Sequence, residues 1–169
     1  MFIIETERLR LREYTLEDAP FTLALMNSEQ WIRNIGDRKI TSVEIAREYI
    51  EKSYLPSYTV NGHGAYVVIQ KETGTIIGAC GLYKRPNLEH PDVGFAFLPE
   101  YLGKGYGYES ANAVMKYAKS TLNLTTILGI TIEENTASRK LLEKLGLQQI
   151  DTIKMEGDDT ELLLYSTQV

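Results

Sequence analysis

Apolar and polar positions change their period several times along the chain, and each change predicts an element. RLRLREY (8–14) alternates apolar and charged residues, the two-residue period of a half-buried strand. TLEDAPFTLALM (15–26) shifts to helical spacing, with Thr15 as N-cap and Asp18 three residues later. A polar segment holding Trp31 and Arg33 leads to TSVEIAREYIEK (41–52), a second predicted helix with Thr41 and Glu44 at capping-box spacing. AYVVIQK (65–71) and TIIGACGLYK (75–84) are β-branched-rich runs around the turn ETG, which predicts a β-hairpin. DVGFAFL (92–98) adds a strand, and ESANAVMKYAKSTL (109–122) places Ala111, Val114, Met115 and Ala118 on one helical face. TTILGITI (125–132) reads as a buried strand, and NTASRKLLEKLG (135–146) as a helix capped by Asn135 and stopped by Gly146. LQQIDTIKM (147–155) and ELLLYST (161–167) flank EGDD as a closing hairpin. The succession is strand, two helices, three strands, helix, strand, helix, two strands. It contains no repeat and no linker, and predicts one mixed α/β domain over residues 1–169.

Composition narrows the setting. At 169 residues, 43% hydrophobic and 24% charged, the chain can bury a full core of its own. Its single cysteine, Cys80, has no internal partner, which predicts a reducing, cytoplasmic compartment and a small buried packing residue rather than a nucleophile. Two isolated histidines, His63 and His90, give no zinc-site spacing, so no metal is expected. No apolar run approaches the roughly 20 residues of a membrane span. A formal charge of −5 argues against nucleic acid as an obligate partner.

The stretch PEYLGKGYGYES (99–110) carries three glycines at alternate positions ahead of a predicted helix. A P-loop is excluded, because Lys104 is followed by Gly105 and not by Ser or Thr. The dinucleotide fingerprint is excluded by the spacing of Gly103, Gly105 and Gly107. A strand, a short connection and a bare loop entering a helix N-terminus remain, and unpaired amides there converge on an anion. The alternative is that the glycines only turn the chain.

F-L-P-E-Y-L-G-K-G-Y-G at 97–107 resembles the acetyl-coenzyme A loop of the GNAT N-acetyltransferase superfamily. N-T-A-S-R-K-L-L-E-K-L-G-L at 135–147 is similar to that family's second block. ETERLRLREYTLEDA and DVGFAFLPEY look most like the branch that includes ribosomal-protein N-terminal acetyltransferases. The resemblance runs from about Glu5 to Tyr165. It implies a mixed, mostly antiparallel sheet with a splayed strand pair and helices on both faces. It also implies acetyl-CoA as cosubstrate, an amine acceptor and, by analogy, a homodimer. Pyrophosphate would rest on amides near Gly103, Lys104, Gly105, Gly107 and Tyr108, and the pantetheine arm would pair with the strand end at Phe97 and Leu98. The chain departs from the family at Leu102, usually Arg, Gln or Trp, and at Leu142, where many members carry a tyrosine acid.

Acetyl transfer needs a neutral amine, and alkyl amines have a pKa of about 10, so a base is required. Asp92, at the start of the strand that the resemblance says is splayed, is the first candidate, with Glu89 and His90 in reserve. Asn135 is expected at the pantetheine arm and Ser138 as donor to the departing sulfur, although both also fit an ordinary helix start. Trp31, Arg33, Tyr54 and Tyr58 lie where the family builds its acceptor groove, and no single one is favoured. The expected activity is acetyl-CoA-dependent N-acetylation of a protein N-terminus or a small amine. A detoxifying acetyltransferase and a non-catalytic acyl-CoA sensor are the alternatives.

Overall fold

The computed structural model describes residues 1–169, and its strands join in one eight-stranded sheet. They are β1 (Ile4–Glu5), β2 (Leu9–Glu13), β3 (Ala65–Gln70), β4 (Ile76–Tyr83), β5 (Asp92–Phe97), β6 (Leu128–Thr131), β7 (Gln148–Lys154) and β8 (Glu161–Ser166). The spatial order is β1-β2-β3-β4-β5-β6-β8-β7. Every neighbouring pair is antiparallel except β5 and β6. Six helices, α1 (Ala19–Met26), α2 (Glu29–Asn34), α3 (Val43–Tyr49), α4 (Leu55–Val60), α5 (Tyr106–Ser120) and α6 (Thr136–Lys144), cover it. No helix is long and apolar enough to cross a membrane.

The alternation of β2 does what its period predicts. Leu9 and Leu11 are fully buried, each worth about 1.5–3 kcal/mol of apolar burial, and Arg10 and Arg12, which alternate with them, stay partly exposed. The sheet carries a core on each face. On one side Ala65, Val67 and Ala79 pack under Tyr14, Leu25, Trp31, Ala46, Ile50 and Tyr54 from α1–α4 and their connections. On the other, Tyr66, Val68, Cys80, Val93 and Phe97 pack against α5 through Ala111, Val114 and Ala118, and against α6 through Leu142. Burial pushes the Cys80 thiol up to about 12, so it stays neutral packing.

Several boundaries differ from the sequence reading. The polar segment around Trp31 is helix α2, capped by Ser28, whose hydroxyl accepts from the Trp31 amide at 3.4 Å. The cap of α3 is Ser42 rather than Thr41, since Ser42 is the extended residue whose hydroxyl reaches the Ile45 amide at 3.2 Å. A widened π turn, Ile50–Tyr54, then carries the chain into α4. β1 is an additional two-residue strand. α5 begins at Tyr106, three residues earlier than its apolar period indicates, which puts Gly107 and Tyr108 inside the first turn.

Candidate active site

β5 and β6 pair at one position only, Asp92 opposite Leu128, where the Leu128 amide donates to the Pro91 carbonyl at 2.9 Å. Beyond that point the two parallel strands part. The β4 register decides which groups of β5 face the opening. The Leu98 amide donates to the Ile77 carbonyl at 2.9 Å, so Ala96 and Gly94, in phase with Leu98, also point toward β4. The N–H and C=O groups of Phe95 and Phe97 therefore face the gap, with no strand to receive them. The sequence reading expects the exposed backbone at Phe97 and Leu98, and the Phe97 groups do face the gap. Those of Leu98 do not: its amide is held by Ile77 and its carbonyl accepts from the Tyr101 amide at 3.0 Å. Phe95 takes that place.

The open end of the gap leads to the glycine loop. Gly103 (φ +72°) and Gly105 (φ +83°) adopt left-handed backbone, and Gly105 is the N-cap of α5. The first helical bond runs from the Glu109 amide to the Gly105 carbonyl, so the amides of Gly105, Tyr106, Gly107 and Tyr108 have no partner within the helix. Gly107 serves a different need: a Cβ there would lie 3.3 Å from Leu141 of α6. The loop is fastened from the turn between β1 and β2. Glu109, in the first turn of α5, accepts from Thr6 Oγ1 (2.7 Å), the Arg8 amide (2.9 Å) and Arg8 Nε (2.6 Å). Arg8 also donates to the Lys104 carbonyl at 3.1 Å and lies 4.3 Å over the Tyr106 ring. Lys144 sits 4.0 Å over the ring of Tyr108. Unpaired amides, a helix N-terminus, Arg8, Lys104 and Lys144 make this end suited to a polyanion.

Asp92 occupies the closed end. Its carboxylate is buried and receives Arg85 Nε at 2.7 Å and Nη2 at 3.4 Å. Burial pushes its pKa up, Arg85 pulls it back, and the balance remains above the ordinary aspartate value. Tyr83, the last residue of β4, pairs opposite Asp92 of β5, and its ring fills the space above Gly94. Arg85 and Tyr83 were not singled out from the sequence. Nothing in the sequence marks Tyr83, and Arg85 carries only a seven-residue spacing from Asp92 that acquires meaning when the loop folds back.

Asn135 and Ser138 lie beyond the other end of β6, at the start of α6. The Asn135 side-chain oxygen accepts from the Ser138 amide at 3.2 Å, so its capping role is occupied and only its NH₂ is left for a ligand. The Ser138 hydroxyl has no partner within the protein, and Ser138 is half-buried. Asp92 and Ser138 thus stand at opposite ends of the gap. Leu142 is buried, with its methyl 2.6 Å from where a Gly129 Cβ would stand, and it offers no acid. Of the early-helix candidates, Trp31 and Tyr54 are core. The Tyr58 hydroxyl bridges Tyr14 and Ala65. Arg33 faces solvent beside Glu29. Glu89 is exposed and His90 partly so, with a contact of 4.0 Å between them.

Residues 8–148 match the acetyltransferase (GNAT) domain family. The uncharacterized N-acetyltransferase p20 of Bacillus licheniformis is 30% identical over 152 residues, covering 88% of this chain and 84% of that protein. An acetyltransferase structure from Agrobacterium tumefaciens strain C58 superposes with a TM-score of 0.80 at 27% identity, covering 96% of this chain and 92% of that one. The RimL ribosomal L7/L12 alpha-N-protein acetyltransferase in complex with coenzyme A superposes at 0.83 with 16% identity, covering 98% and 97%. At that identity the last likeness is one of fold.

Proposed function

The chain belongs to the GNAT acetyltransferase family and is an N-acetyltransferase, and from that premise we propose that it moves the acetyl group of acetyl-CoA directly onto a primary amine held at the Asp92 end of the β5–β6 gap. The observation that carries this reading is the fork itself. Two parallel strands meet at one residue pair, leave the backbone of Phe95 and Phe97 unpaired, and open onto a helix N-terminus.

In this reading the pyrophosphate rests on the amides of the 103–108 loop. The pantetheine arm pairs with Phe97 as a strand would, with the Asn135 NH₂ beside it. The Phe95 amide donates to the thioester oxygen and stabilises the charge that grows there. The amine lone pair attacks the carbonyl carbon, the C–N bond forms, and the amine proton passes through a chain of water to Asp92. The C–S bond then breaks and the electron pair leaves on sulfur. A thiol pKa of about 8.5 makes thiolate departure near pH 7.5 cost about 1.4 kcal/mol, so a donor as weak as the Ser138 hydroxyl is sufficient. Holding amine and thioester in contact contributes much of the rate. The acceptor is a primary amine, on a small molecule or at a protein N-terminus.

Asp92→Asn keeps the shape and removes the base. Its kcat is expected to fall at least about 100-fold, with the acetyl-CoA Kd by calorimetry within about twofold of the parent. Undiminished turnover in this variant removes Asp92 as the proton acceptor.

A further inference from the structure

On the α1–α4 side of Asp92 lies a cavity of about 260 Å³, lined by Ser53, Tyr54 and Asn61 from the helices and by Tyr83, Lys84 and Arg85 from the end of β4, among others. It shares Arg85 with Asp92 and so adjoins the closed end of the gap. None of its eleven lining residues is Asp or Glu. Two are cations, and each keeps donors in reserve. Lys84 Nζ donates to the carbonyls of Leu88 (2.5 Å) and Glu89 (3.0 Å) and pairs with no carboxylate, so its third N–H and its full charge are unspent. Arg85 gives Nε and Nη2 to Asp92, while Nη1 makes no hydrogen bond in the protein. The side chains of Ser53 and Asn61 likewise have no hydrogen-bond partner.

We propose that this cavity binds the carboxylate of the acceptor, and that the acceptor is a small amino-acid-like compound carrying amine and carboxylate together. The inference rests on the acetyl-transfer reading and narrows it. The Asp92–Arg85 pair is close to neutral as a unit, which leaves Lys84 to set the sign of the cavity. A carboxylate on Lys84 and Arg85 Nη1 points the attached amine toward Asp92 and the gap. A polyamine instead brings a second cation against Lys84, at a Coulomb cost that grows as water is excluded. The volume is slightly below the roughly 300 Å³ at which ligand pockets usually begin, a size for one small acceptor rather than a peptide end with its following residues.

The test measures kcat/KM with acetyl-CoA for matched sets: L-amino acids, their carboxamides, the corresponding decarboxylated amines, and spermidine. The best amino acid is expected to exceed its carboxamide and its amine by at least about tenfold, mainly through KM. Lys84→Gln should erase most of that ratio. Because Lys84 also fastens the 85–91 loop, Asn61→Asp is the second variant, and it should reverse the ratio by placing a like charge in the cavity. Preference for a carboxamide, a decarboxylated amine or spermidine overturns the proposal and leaves acetyl transfer standing. So does binding of acetyl-CoA with no turnover of any amino acid. Failure to bind acetyl-CoA, in folded protein, overturns the underlying reading instead.

Discussion

Arg85 stands where two demands on Asp92 pull in opposite directions. A proton acceptor must be ionised to work, and burial at the strand start penalises that ionised form. Arg85 supplies the opposing charge through two hydrogen bonds, and the Asp92 pKa settles above 3.8 but below where burial alone would leave it. Tyr83 adjoins the pair, and burial holds its hydroxyl well above the ordinary tyrosine pKa, so it adds no charge at neutral pH. Activity needs the carboxylate, so kcat/KM should rise with pH through this pKa. Arg85→Gln removes the restraining cation, and the acidic limb of the profile is expected to move up by about 1–3 pH units. Arg85→Lys, which keeps charge but loses the fork, should move it less. A limb that stays in place in Arg85→Gln means that another group takes the proton. The linkage to stability has a definite sign. A folded pKa raised above 3.8 favours the folded state below that value, and this contribution is lost as pH rises through the folded pKa. The Gln variant, with an unpaired buried carboxylate, should lose more at pH 8 than at pH 5, of order 3–5 kcal/mol once ionised.

Among the elements, the loop from β5 to α5 shows why three glycines stand two apart. Gly103 has a left-handed φ of +72° with nothing within 4 Å of its missing Cβ, so only backbone conformation disfavours a side chain there. Gly103→Ala is expected to cost about 1–2 kcal/mol, and Gly103→Asn less, because Asn tolerates that conformation. Thermal melts should show the Ala variant about 2–8 °C below the parent; equal melting of all three would remove φ as the reason for glycine. The loop was legible in the sequence because so few structures need glycines at that density. The start of α5 was not, because Gly107 answers to Leu141, some thirty residues away in sequence, and looks like more loop. β1 is too short to show a period, and α2 buries only Trp31, so neither gives an apolar pattern to read. The residue that faces the gap was half legible. Phe97 and Leu98 are adjacent, and only the bond from Leu98 to Ile77 decides between them. Arg85 was hidden for a similar reason, since a loop arginine becomes a partner of Asp92 only after β4 and β5 pair.

At the scale of the molecule, the sheet is two blocks, β1–β5 and β6–β8–β7, hinged on the Asp92–Leu128 pair and roofed by α5 and α6. α6 belongs to both, since Leu142 packs on Gly129 of β6 while Leu141 reaches Gly107 of α5. The cores on the two faces take their sheet residues mainly from the first block, and the fork is the place where pairing stops. That interruption leaves a backbone signature. Within β5, neighbouring amides differ: Gly94, Ala96 and Leu98 are locked to β4, while Phe95 and Phe97 have no strand partner in the free protein. Deuterium should therefore enter this strand with a period of two, fast at Phe95 and Phe97 and slow at the residues between. Coenzyme A should erase the period by slowing the fast pair and leaving the rest unchanged, so that the ligand is read out as the strand the sheet was missing.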